Sequence, residues 1–302
     1  MESLPMKIFN LILLFLGIVF LSACMASRNI NNSAKVTPKG NFAFGINVTA
    51  NLPTETIGAM KDIVKSNVTA IAQKDSIRLG DNLTMMNKAA IAYSIDPLSV
   101  SSNFFIRYGL FKHIDVGYKR VGTVNAFDLQ YQFLGPTGNI DNPTDQRWYG
   151  SAGIQYSSQK QELPSILSKL QARLGFDFKR KDLLIPIILS YSFGNEEKYG
   201  GISFGMALDY SNINFVSNPF NIYTLENFKI AGIENDRSFL SLGSFVNLKL
   251  GYKYVYLVPS IAVYYQNYGN FELLGGNMYQ IKSWTFIPSL GCRFRLGKNS
   301  IN

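Results

Sequence analysis

The chain has 302 residues, 16% of them charged, 14% aromatic, and a formal net charge of +9. Soluble chains of this size carry nearer a quarter charged residues, so an ordinary soluble domain is disfavoured. The basic balance suits anionic headgroups or solutes, and no basic cluster or recognition motif points to nucleic acid.

Lys7 precedes an uncharged apolar run, Leu11 to Leu21, of signal-peptide length and too short to cross a bilayer as a mature helix. Met6 would give a cleaner start than Met1-Glu2. The run ends Leu21-Ser22-Ala23-Cys24. Those four residues resemble a bacterial lipobox, which implies a signal peptide over 1–23 and lipid on Cys24. The alternative is an ordinary secretory signal with cleavage nearby. Met25 follows the cysteine, which by the same resemblance favours transport to the outer membrane. With Cys24 acylated, Cys292 has no partner and no disulfide framework exists.

Residues 24–40 are polar and Asn-rich and read as a flexible tether. Alternation then begins. Phe42, Phe44, Ile46 and Val48 face one way, while Ala43, Gly45, Asn47 and Thr49 face the other. The pattern recurs at 104–110, 114–119, 127–133, 170–178, 202–209, 240–250 and 284–295, with further strands near 148–156, 183–193 and 254–265. In the 170–178 stretch, Leu170, Ala172, Leu174, Phe176 and Phe178 form the expected outward face.

Three connections read as tight: Phe111-Lys112-His113, Lys179-Arg180-Lys181-Asp182 and Gly251-Tyr252-Lys253. Others are long, as when short periplasmic turns alternate with external loops. The stretch between Phe133 and Trp148 is longer than the tight turns on its side. The expected fold is all-β: an antiparallel transmembrane barrel over 41–296, with about twelve strands if one irregular strand lies within 221–233, without which the count is odd and the C-terminus emerges outside; ten strands is the runner-up count. Residues 297–302 are a tail. The 52–102 insertion carries Ile57, Met60, Val64, Val68 and Ile71 at helical spacing over 54–74, capped by Thr54. It reads as a helix over the barrel mouth or a plug in the lumen.

The segments "RYGL" at Arg107–Leu110, "DVGYK" at Asp115–Lys119 and "LQYQFL" at Leu129–Leu134 resemble the hairpins of poorly characterised bacterial outer-membrane barrel proteins. The terminal aromatic often ending such chains is absent, and Phe294 is the nearest substitute.

Catalytic chemistry is sparse. The lone histidine, His113, sits in a tight turn, and the sequence shows no metal or cofactor motif. Glu196-Glu197 reads as a solvated loop tip. No enzyme, cofactor or metal site is expected. The expected lumen-facing charges are Arg107, Asp115, Lys119, Asp128, Arg173, Asp177, Asp209, Lys249, Arg293 and Arg295. They form either a charge network that closes the lumen or a constriction that selects solutes. The expected function is a passive outer-membrane pore for small solutes, anionic ones in particular. The alternative is a non-conducting structural or interaction barrel presenting external loops. Outer-membrane lipids and lipopolysaccharide are the expected surroundings.

Overall fold

The computed structural model describes residues 28–62, 79–122, 124–138, 143–161, 176–217, 232–273 and 277–296. It is a closed antiparallel barrel in which each strand pairs with its sequence neighbours and β1 pairs with β10. The strands are β1 (Phe42–Pro53), β2 (Ser99–Phe111), β3 (Ile114–Val121), β4 (Val124–Leu134), β5 (Trp148–Gln161), β6 (Phe176–Ser192), β7 (Gly200–Ser217), β8 (Ile233–Tyr252), β9 (Val255–Glu272) and β10 (Met278–Leu296).

Ten strands, not twelve, close the barrel, for two reasons. The run Lys179–Asp182 is no turn. It lies inside β6, with Lys179 and Lys181 outside and Arg180 and Asp182 buried in the lumen, so the alternation simply continues through the charges. The other reason is that β7 and β8 pair directly, from Ser217 with Ile233 to Gly200 with Leu250. The extra strand placed within 221–233 falls mostly outside the described residues.

One end of the barrel carries the 54–98 connection, those after β5 and β7 and a short one after β3; the other carries Lys112-His113, Lys253-Tyr254 and the longer 135–147 connection. The first is the loop end and the second the turn end. After β1, residues 54–62 are helical and the Leu79–Ile95 helix follows; part of the helix expected over 54–74 lies outside the described residues.

The outer wall is built for lipid. Outward positions are Ile46, Phe104, Leu129, Ile187, Met206, Leu242 and their neighbours. Aromatic side chains bound this apolar face. Tyr118 and Phe127, 5.3 Å apart, and Tyr265 and Trp284, 5.1 Å apart, lie toward the loop end. Phe42 with Tyr108, Trp148 with Tyr191 and Tyr199 with Tyr252 lie toward the turn end. Trp148 and Tyr156 share β5, and the strand between them rises about 20 to 26 Å depending on tilt, close to the apolar band of about 25 Å of such barrels.

Toward the loop end the rule inverts. Phe178, Ile213, Phe215, Phe239, Phe271 and Ile281 point inward and pack on Ala90, Ile91, Tyr93 and Ile95 of the helix. Lys179, Asn214, Asp236 and Lys282 point outward. This collar has an apolar inside and a polar outside. Phe178, expected on the outer face, is therefore buried, and Asp177 lies on the outer wall with Lys160 and Lys179.

Candidate functional site: the filled lumen

The segment expected to be a tether occupies the lumen. Arg28, Asn29, Ile30, Ser33, Ala34, Lys35, Val36 and Thr37 are all buried. Their partners give the direction of travel. Arg28 donates to Gln266 and to Asp96 (2.6 Å) near the loop end. Asn31 Oδ1 accepts from Ser260 (2.7 Å) and Ser289 (3.1 Å) at mid-barrel. The Ala34 N–H donates to Ser190 Oγ (2.7 Å), the Val36 N–H to Gln132 Oε1 (3.0 Å) and the Thr37 N–H to Asp115 Oδ2 (2.7 Å) toward the turn end. The chain thus descends from loop end to turn end before entering β1. A buried backbone outside a sheet must have its polar groups satisfied, and here wall side chains do so.

Gly109 makes the last step of this path. The Gly40 N–H donates to Gly109 O (2.8 Å), and the Gly109 N–H donates to Asn41 O (3.1 Å). A Cβ on Gly109 would lie 2.0 Å from the Pro38 carbonyl oxygen, so no larger residue fits without moving that backbone.

Three charged clusters hold the filling in place. Near the loop end, Arg28 pairs with Asp96, whose Oδ2 also accepts from Thr285 (2.5 Å), Tyr268 (3.0 Å) and Gln266 (3.1 Å). Beside it Arg180 bonds Asp182 (2.6 Å) and faces Asp209 at 3.6 Å. At mid-barrel Arg107 bridges Asp115 and Asp128, both at 2.5 Å, and Lys119 Nζ donates to the Asn29 carbonyl at 3.0 Å.

At the turn end Glu196 pairs with Lys35, and Glu197 with Lys249 and Arg295. Glu196 and Glu197 have φ of 55° and 58°, a left-handed pair of non-glycine residues. That backbone is held where the ion pairs over-determine it. The two acids are buried, not a solvated loop tip. Burial alone would push the Glu197 carboxyl up; Lys249 and Arg295 outweigh it and hold the group well below the usual carboxylate range. Thr144 Oγ1 donates to Glu196 at 2.7 Å, so the long β4–β5 connection packs beneath the same cluster. That contact gives the unusual length of this turn a purpose: it helps floor the barrel.

Of the charges expected to face the lumen, Arg107, Asp115, Lys119, Asp209, Lys249 and Arg293 are buried there, with Asp128 and Arg295 in its ion pairs. Asp177 lies on the outer wall instead, and Arg173 falls outside the described residues, as does Cys24. Sequence reasoning missed Arg28, Lys35, Asp96, Arg180, Asp182, Glu196 and Glu197. Within this set, cations and anions nearly balance. Arg293 has no ion-pair partner among the described residues: its Nε and Nη1 are unsatisfied, and its guanidinium lies 5.7 Å from the Phe105 ring centre.

Two small voids lie beside the filling among the described residues. One void, between Asn29, Ile30, Lys119, Gln130 and Gln155, measures about 20 Å³, and one between Asn31, Asn47, Arg107 and Asp128 about 10 Å³. Volumes of this size hold about a single water. Chemically the lumen is a mixed core: hydrogen-bonded along much of its length, and apolar where Ile30 and Ala34 cluster with Tyr149, Leu184, Ile188, Phe245 and Tyr264.

No protein-family model and no curated protein sequence matches the chain. Among solved structures it is similar to the attachment invasion locus protein Ail of Yersinia pestis, at 10% identity and a TM-score of 0.34 over 85% of this chain and 99% of that one. It is also similar to a major outer membrane protein of Thermus thermophilus, at 10% identity and a TM-score of 0.32 over 84% and 99%. Outer membrane protein OprG of Pseudomonas aeruginosa matches at 11% identity and a TM-score of 0.26 over 87% and 99%. The chain is itself a closed ten-stranded antiparallel barrel.

Proposed function

We propose that this chain is a self-filled, non-conducting outer-membrane barrel that presents its loop end as an interaction surface. The observation that carries this reading is the path of residues 28–37 along the lumen, most of them buried, tied at one end to the connection after the helix by Arg28–Asp96 and at the other to the β6–β7 turn by Lys35–Glu196. A passive pore needs a continuous water path, and the two voids described beside the segment are water-sized. The expected preference for anions loses part of its support, because Glu197 sits against Arg295 and the lumen cations are nearly balanced by acids.

Single-channel recording tests the reading. The full chain in planar bilayers should give no unitary steps, while a variant lacking both residues 28–37 and the mouth-filling 54–95 insertion, with every strand intact, should give them. That deletion removes Arg28 and Lys35 and leaves Asp96 and Glu196 without these partners, so the opened lumen should favour cations. Steady stepped currents from the full chain would overturn the proposal.

A further inference from the structure

We propose that the outer wall of β3 to β6, just above the loop-end aromatic row, binds phosphorylated lipid headgroups of the outer leaflet, of the lipopolysaccharide class. The strand register carries the argument. Tyr118, Phe127, Tyr156, Leu183, Tyr210 and Leu240 are paired across successive strands and form one outward row. Such aromatic rows sit at the interface between hydrocarbon and headgroups. Two residues further toward the loop end, the next outward row reads Arg120, Asn125, Ser158, Lys181, Asn212 and Ser238. The row beyond it contains Lys160, Lys179, Asn214 and Asp236.

Positive charge is therefore gathered on one arc of the wall, at headgroup height. The Lys160 and Lys179 side chains are 67% and 61% exposed, and Arg120 and Lys181 are exposed as well. One acid, Asp177, stands between Lys160 (3.5 Å) and Lys179 (3.6 Å), so four cations face one carboxylate. On β7 and β8 the same height carries Asn212, Asn214, Ser238 and Asp236 instead, and the arc ends there. Arg120 and Lys181 are three strand spacings apart, about 15 Å. That width suits a disaccharide headgroup with a phosphate at either end.

The occupant follows from the placement. Long cationic side chains above an aromatic row keep their stems over apolar surface and their heads in the headgroup layer. An anion fixed in that layer is a lipid phosphate. A ligand of the loops would leave these wall positions idle. The inference takes the loop end as external, the side that carries long loops in such barrels, and is independent of whether the lumen conducts.

The test uses the full chain refolded in mixed micelles, with bisphosphorylated lipid A and its dephosphorylated counterpart as probes and native mass spectrometry as the readout. The wild type should retain the phosphorylated lipid and release the other. K160Q/K179Q/K181Q should weaken retention by about a hundredfold, from about fivefold per cation near such a surface. The matched turn-end variant K112Q/K198Q/K253Q should stay within about twofold of wild type, which controls for total charge. Heat-modified gel mobility would verify that both variants fold. Equal retention by the wall triple, equal binding of the dephosphorylated lipid, or tighter binding of soluble polyphosphate than of the lipid would each overturn the proposal.

Discussion

The membrane zone and the loop-end collar are built from the same strands and obey opposite rules. On β7, Phe204, Met206 and Leu208 face outward around Ser203, Ala207 and Asp209. A few residues later, Ile213 and Phe215 face inward around Asn212 and Asn214. The backbone does not change; the solvent outside it does. Hydrocarbon drives polar groups to the lumen in one zone, and water drives apolar groups to the interior in the other. What fills each zone follows. A largely polar lumen takes a largely polar strap, residues 28–37, with Ile30 and Ala34 meeting the few apolar wall residues, whereas an apolar mouth takes the apolar face of a helix, Ala90 to Ile95.

The largest effect should come from the collar's interior. Phe271 is fully buried against the helix, so Phe271→Ala should cost about 3–5 kcal/mol in urea titrations of vesicle-inserted protein. A small cost there would mean that the helix does not pack into the mouth.

A smaller contrast tests the outer wall. Met206 is mid-membrane, outward and more than half exposed, and Met206→Arg should cost about 2–4 kcal/mol. Asn214→Arg, outward on the same strand but in the collar, should change stability by no more than about 0.5 kcal/mol. Equal penalties in the same titration would erase the boundary drawn between the two zones.

This inversion also marks where the sequence was legible. Alternation is readable wherever one solvent lies outside a strand, and the faces of β1, β2, β4 and β10 follow from it. At β6 it crosses the boundary. The run Lys179–Asp182 has the charge of a turn because the upper half of that strand is bathed in water outside and carries the Arg180–Asp182 pair inside. Splitting the strand there raised the expected count toward twelve and turned Phe178 the wrong way. The filling of the lumen was illegible for a related reason. A segment that satisfies a polar cavity must itself be polar, and Asn29, Asn31, Asn32 and Ser33 look the same in a linker. Glu196-Glu197 hid similarly, since their partners Lys35, Lys249 and Arg295 are remote in sequence.

The account stands on residues 28–37 lying in the lumen, and a cysteine pair measures that directly. The Ala34 N–H donates to Ser190 Oγ at 2.7 Å, which brings the two backbones together inside the barrel. In a background with the lipid-facing Cys292 replaced by Ser, A34C/S190C should cross-link under mild oxidation in intact outer membranes. The product should appear as a shifted band on a non-reducing gel that returns to its place with reductant. No cross-link, with Cys at position 34 freely labelled by a bulky water-soluble maleimide, would contradict the account.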